Sequence, residues 1–310
     1  AIGDCPPYDY SPWDTIATAI VQKNVAKKVH IGSTATPDST FQVTGGAKFT
    51  GDVVVNGVTV GRGKSNKNTN TAIGANALLV NTTGSYNTAT GHNSLYSNTD
   101  GGYNTANGYR SLYSNTTGSG NTANGYHSLF SNTTGDFNTA NGFYPLYYNT
   151  TGSNNTANGN RSLFYNTTGG YNTANGYFSL YSNIIGSNNT ANGRYSLFSN
   201  TTGYSNTAVG VSALYSNTTK SNLVAVGDSA LYKNGIGATQ VYEAVNNTAI
   251  GSKALYNNTL GYGNTATGYR SLYSTVTGAM NTAFGNNSLN ANTGSSNTAI
   301  GYNSLILNSS

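Results

Sequence analysis

Asn104-Thr-Ala-Asn-Gly-Tyr-Arg-Ser-Leu-Tyr-Ser-Asn-Thr-Thr-Gly-Ser-Gly120 is followed at once by Asn121-Thr-Ala-Asn-Gly-Tyr-His-Ser-Leu-Phe-Ser-Asn-Thr-Thr-Gly-Asp-Phe137. The two stretches are one unit of 17 residues written twice, and the unit recurs about 14 times from Asn70 to the end of the chain. A fixed period of this size means that one unit cannot bury its own apolar face, so successive units stack and the core becomes a line. Position three is alanine in every copy, Ala106 and Ala123 among them, and position nine is leucine, as at Leu112, Leu129 and Leu163. The expected fold is all-β: a β-solenoid, or β-roll, of about 14 coils preceded by a small β-hairpin adaptor. The register breaks twice, by roughly 7 extra residues near Thr239 to Asn246 and by 1 missing residue near Thr293, and the first break predicts a loop bulging from one face.

Within a unit, Asn-Thr-Ala-x-Gly reads as one short strand and Ser-Leu-Tyr-Ser-Asn as a second, joined by glycine-containing corners. Alternation along the first strand puts Thr and the variable fourth residue on one face and Ala on the other. Stacking at about 4.8 Å per coil sets identical side chains above one another and gives a rod on the order of 65 to 70 Å long. The fourth position is apolar near the ends, as at Ile73 and Ile300. It is asparagine in the middle, at Asn107, Asn124, Asn141, Asn158, Asn175 and Asn192, which predicts an amide ladder there.

Three segments follow. Residues 1–28 are non-repetitive, with Pro6, Pro7 and Pro12 among aromatics, and are expected to dock on the rod or on a partner subunit. Residues 29–69 read as a β-hairpin adaptor or cap. In it, Asn56-Gly57 between valine runs predicts a type I′ turn, because both central residues of that turn need positive φ. Residues 70–310 are the repeat array.

Composition narrows the function. The chain has 39 glycines and 25 tyrosines but only 7% charged residues, which leaves little material for acid–base chemistry. The formal net charge is +5, yet half of the Lys and Arg residues lie before Asn68. The remaining arginines, Arg110, Arg161, Arg194 and Arg270, are far apart in sequence and predict no basic stripe, so nucleic acid is not an expected partner. No apolar run is long enough to span a membrane. Cys5 is the single cysteine, so it is either a lone thiol or an intermolecular disulfide between subunits. The chain begins with Ala1 and not Met, as a processed secreted protein or a fragment does.

Asn70 to Gly74, Asn247 to Gly251 and Asn297 to Gly301, each Asn-Thr-Ala-Ile-Gly, resemble the head repeats of trimeric autotransporter adhesins. They are also similar to the Asn-Thr-Ala-rich stalks of phage tail fibres and of secreted surface proteins of Bacteroidetes. Val29-His-Ile-Gly-Ser and Gly51 to Arg62 are similar to the segment that precedes such repeats. The resemblance implies an extracellular, frequently trimeric fibre used for adhesion or as a spacer. The unit here is longer than the usual adhesin-head repeat.

No catalytic or cofactor constellation is expected. His30, His92 and His127 are scattered and read as surface decoration, and Asp and Glu are too sparse for a calcium-binding roll. Asn115-Thr116-Thr117 and its copies match the N-glycosylation pattern. The aromatic rows at positions six and ten read as a cover for the leucine core, as filling between chains, or as a platform for polysaccharide. The leading expectation is a structural, non-enzymatic subunit that self-associates head to tail into an extracellular filament. Ile16, Ile20 and Val21 at one end and Leu305, Ile306 and Leu307 at the other are the expected polymerisation contacts. The alternative is a homotrimeric adhesin or tail-fibre shaft that binds glycan or a cell surface.

Overall fold

The computed structural model describes residues 51–65 and 67–308. The expectations for Cys5, Ile16, Ile20 and Val21, for His30, and for the strands between residues 29 and 50 fall outside them. The described hairpin pairs Val53–Val55 with Val58–Gly61, antiparallel, around Asn56 and Gly57 at φ 49° and 80°, as the Asn-Gly turn requires. Val58–Gly61 then lies antiparallel along Thr71–Gly74, the first strand of the array. The hairpin therefore forms one end of the same sheet.

From there the sheet is parallel and in register. Thr105–Asn107, Thr122–Asn124, Thr139–Asn141 and their copies each pair with the next through the same residues, Ala106 opposite Ala123 and Ala123 opposite Ala140. Sixteen strands make this sheet, and 14 of them are one per coil of the solenoid. Most strands are only three residues long, because turns and bends take up most of the remaining residues of each unit of 17.

The second expected strand does not form in most coils. Ser111 to Ser114 is a turn, with Arg110 and Leu112 in the left-handed region at φ 53° and 49°. Two left-handed residues with one between them curl the chain, so an extended segment cannot persist. The conformation costs a branched L-residue about 1–2 kcal/mol. It is held because Leu112 N–H donates to the Ser128 carbonyl of the next coil at 3.0 Å and its isobutyl group is wholly buried. Only the last two coils extend this segment, pairing Ala291–Asn292 with Leu307–Asn308. The backbone bonds join coil to coil around the whole perimeter: within one unit Thr122, Leu129, Ser131 and Thr133 donate forward while Gly125, His127 and Phe137 donate backward. The N–H of position eight is used only for a weak local bond, as in Ser111 to Gly108 at 3.5 Å, so Pro145 at that position breaks nothing between coils.

The core is a column of Leu and Ala, with Leu112, Leu129, Leu163, Ala106 and Ala123 all fully buried. Flanking it are two buried asparagine ladders. Position twelve donates backward through its amide, Asn132 to Asn115 and Asn149 to Asn132 at 2.9 and 2.8 Å. Position one accepts from the backbone of the next coil, as Asn104 does from Asn121 at 2.9 Å. Both ladders also donate to the carbonyl of the glycine at position fifteen: Gly135 O receives Asn121 and Asn132. A Cβ on Gly118 would sit 2.5 Å from Asn115 Oδ1 and 2.5 Å from Gly135 O, which is why that corner is glycine. Apart from Asn258 Oδ1, which is buried without a partner, these amides meet their hydrogen-bonding needs internally, so a core with a single large apolar side chain per coil can stay dry.

The insertion loops out between Gly235 and Ala244. Gly235 N–H still donates to Thr259, and the Ala244 carbonyl takes the place of the corner glycine's by accepting Asn234 Nδ2 at 2.9 Å. Val241, at its tip, is 89% exposed.

Candidate functional site

The outward side chains fall into rows, and one face is aromatic. Position ten supplies an unbroken file of 11 rings from Tyr96 through Phe130, Phe164 and Phe198 to Tyr273. Adjacent centroids are 5.1 to 5.4 Å apart and adjacent planes within 17° of parallel. The rings are half-buried, lying against the outside of the coil as well as on one another, and offset stacking of this kind adds about 0.5–1.5 kcal/mol per pair beyond burial. Beside them runs position six, where Tyr109, Tyr126, Phe143 and Tyr177 are exposed and the first three stack at 5.2 and 5.1 Å.

Position seven lies against both files. Arg110 has its guanidinium over Tyr109 and Tyr113 at 5.1 and 5.5 Å, and Arg161 lies over Phe164 and Phe178 at 5.8 and 5.5 Å. Arg194 covers Tyr195 at 5.1 Å, and Arg270 covers Tyr269 and Tyr273, both at 5.2 Å. Arginines that look scattered in sequence therefore share one face. Numbering residues by place in the repeat would have shown this, since all four occupy position six or seven.

His127 also belongs to position seven, and the surface expectation for it is overturned. Its ring lies 4.3 Å from Tyr126 and 4.8 Å from Phe130, with both ring nitrogens buried and unpartnered. Burial, and then the nearby Arg110 charge, hold its pKa below the ordinary value. His92 is exposed, as expected. Burial raises the hydroxyl pKa values of Tyr144, Tyr147, Tyr181 and Tyr215.

Where Tyr148 and Tyr165 replace the serine usual at position eleven, they stand 5.4 Å apart and parallel. With Thr150, Thr167 and Ile184 they wall a groove of about 560 Å³ between Ser131 and Ser182. The threonine hydroxyls are turned inward, Thr150 Oγ1 donating to Thr167 O at 3.1 Å and Thr167 Oγ1 to Ile184 O at 3.0 Å, so methyl groups line the wall.

On the sheet face the expected amide ladder forms. Asn107 donates to Asn124, Asn124 to Asn141, and so on through Asn158 to Asn192, at 2.7 to 2.9 Å. This ladder is half-buried beyond Asn107; the sequence led to the expectation of asparagine ladders from coil to coil and singled out this one, but not the buried ones at positions one and twelve, although both asparagines are nearly as regular as the leucine. The Asn-Thr-Thr motifs carry no accessible acceptor: Asn115 is fully buried with its amide in the position-twelve ladder. Leu305, Ile306 and Leu307 are 50, 40 and 83% exposed, whereas the equivalent Leu289 one coil earlier is buried. Among the described residues no group of three or more His, Cys, Asp or Glu is placed to hold a metal, and no helix is long and apolar enough to cross a membrane. No protein-family model, curated protein or solved structure matches this chain.

Proposed function

We propose that the chain is a structural, non-enzymatic protein: a stiff shaft in an extracellular fibre. The observation that supports this most is the unchanging register, with every coil bonded to the next through the same residues from Thr71–Gly74 to Thr298–Ile300. Stability in such a molecule is a sum over neighbouring coils, and what the sum delivers is length and stiffness. Apolar surface at Leu305, Ile306 and Leu307 fits a further coil stacked upon it. Association of copies into a filament is part of the proposal, since a head-to-tail contact between identical rods does not close on itself. Secretion and placement at a cell surface are part of the proposal, supported by the resemblance of Asn-Thr-Ala-Ile-Gly to adhesin-head and tail-fibre repeats. Electron microscopy of the purified chain tests it. Rods or filaments one solenoid wide are expected, and globular particles of any size would overturn it.

A second reading, a trimeric adhesin or shaft that also binds glycan, is favoured by one feature, the continuous aromatic face. A sedimentation mass of three chains without end-to-end growth would select it over the filament.

A further inference from the structure

Positions six and seven carry Arg110, Arg161, Arg194, Lys253 and Arg270 against one carboxylate, that of Asp228. Among the described residues none of these cations has an acidic partner, and the Nε atoms of Arg110, Arg161 and Arg270 are buried against rings with no hydrogen bond at all. A buried-edge cation without a counter-charge is an uncompensated cost unless something outside the chain supplies one. Arginine resting on aromatic faces is, moreover, held in place before any partner arrives, so little further ordering is needed on binding.

We propose that this face binds a linear acidic polysaccharide, laid along the solenoid axis, whose carboxylate or sulfate groups meet the arginines while its sugar rings lie on the aromatic file. The inference rests on the second reading above, that the shaft binds glycan, and names the class. Charge complementarity selects the occupant. A second copy docked through the same face would set arginine against arginine. A nucleic acid strand carries a charge about every 3.4 Å, whereas Arg110 and Arg161 are three coils apart, roughly 14 Å. The rings from Tyr96 to Tyr273 are also stacked on one another, which covers much of each face. Along this file little ring face is left for a base to stack upon. A polymer with one anion every one or two sugars fits the sparse charges. Tyr148 and Tyr165 extend the aromatic surface in the coils next to and including that of Arg161, which places the tightest contact there.

Binding of the full chain to polygalacturonate, heparin, dextran and an oligothymidylate is the test, measured by calorimetry at low and moderate salt. Polygalacturonate, heparin or both should bind, more weakly as salt rises, and dextran should not; binding of polygalacturonate shows that carboxylates suffice, and binding of heparin alone shows that sulfate is needed. The double variant Arg110→Gln/Arg161→Gln should bind roughly tenfold or more weakly while keeping the circular dichroism spectrum of the parent. Absence of binding to both acidic polymers, equal binding to dextran, tighter binding to the oligothymidylate, or an unchanged affinity in a folded double variant would each overturn the proposal. Micrographs of the same sample separate the two failures: rods that bind no polymer remove only the acidic-glycan inference, while globular particles remove the shaft as well.

Discussion

Asn258 and Thr275 occupy the same place in successive coils, and Asn258 Oδ1 and Thr275 Oγ1 are both buried without a hydrogen-bond partner. In the intact ladder the later residue is an asparagine whose amide reaches back, as Asn258 Nδ2 itself does to Asn234 at 2.9 Å. Thr275→Asn should restore the missing rung and a donor for the Gly278 carbonyl. Removing two unsatisfied buried atoms is worth about 1–3 kcal/mol. Denaturant or thermal unfolding should show a stabilised protein, and a variant less stable than the parent would mean the site cannot take the larger amide.

The buried ladder and the half-buried one on the sheet face should respond differently to the same change. Asn132→Ala removes bonds to Asn115 and Gly135 and an acceptor for Asn149, all inside the solenoid. A loss of about 2–4 kcal/mol is expected. Asn141→Ala also cuts two rungs, to Asn124 and Asn158. There water replaces the lost partners, and the cost should stay below about 1 kcal/mol. Parallel unfolding curves for the two variants check the contrast.

His127 makes stability depend on pH. Its folded pKa is lowered from 6.5, so as pH falls the unfolded chain takes up the proton first. The contribution is complete above the unfolded value, declines as pH drops below it, and levels off once the folded imidazole is also protonated. Tyr109, Tyr126, Tyr144 and Tyr147 surround the ring, and Arg110 is the charge that faces it. A melting temperature that falls between pH 7.5 and 5 in the parent should fall less in His127→Phe, a residue that Phe178 shows the row accepts. Equal pH slopes in both would rule out the imidazole as their source.

Excising residues 237–243 should leave the solenoid standing. The deletion restores a 17-residue coil, with Ala244 brought to the corner where its carbonyl already receives Asn234. Closing a shorter loop is mildly favourable, so the expected change in stability is within about 1 kcal/mol of zero. Lys220 loses its 2.5 Å bond to the Gln240 carbonyl, which works against that gain. A large loss of stability or of the circular dichroism signal would show that the loop is part of the framework.

The fold was legible because Ala123, Leu129 and their copies recur without exception, and such regularity has few structural solutions. The local conformation of the second segment was not. Ser-Leu-Tyr-Ser-Asn has the alternation of a strand, and nothing in its composition announces a leucine at positive φ; that state exists because the neighbouring coil pins the Leu112 N–H. The candidate site was half legible. Tyr113, Phe130 and Tyr147 were visible as a row, but Arg110 and Arg161 look isolated until 51 residues of separation are divided by the period and become three steps along one face.

Because the backbone bonds of every coil run to its neighbours, they lie along the long axis of the solenoid. A pull on the two ends loads those bonds one coil at a time, in sequence and not all together. Each detached coil would pay out its 17 residues of chain, about 55 to 60 Å when extended. A tether built this way yields in steps, absorbing load by lengthening while its remaining coils stay folded.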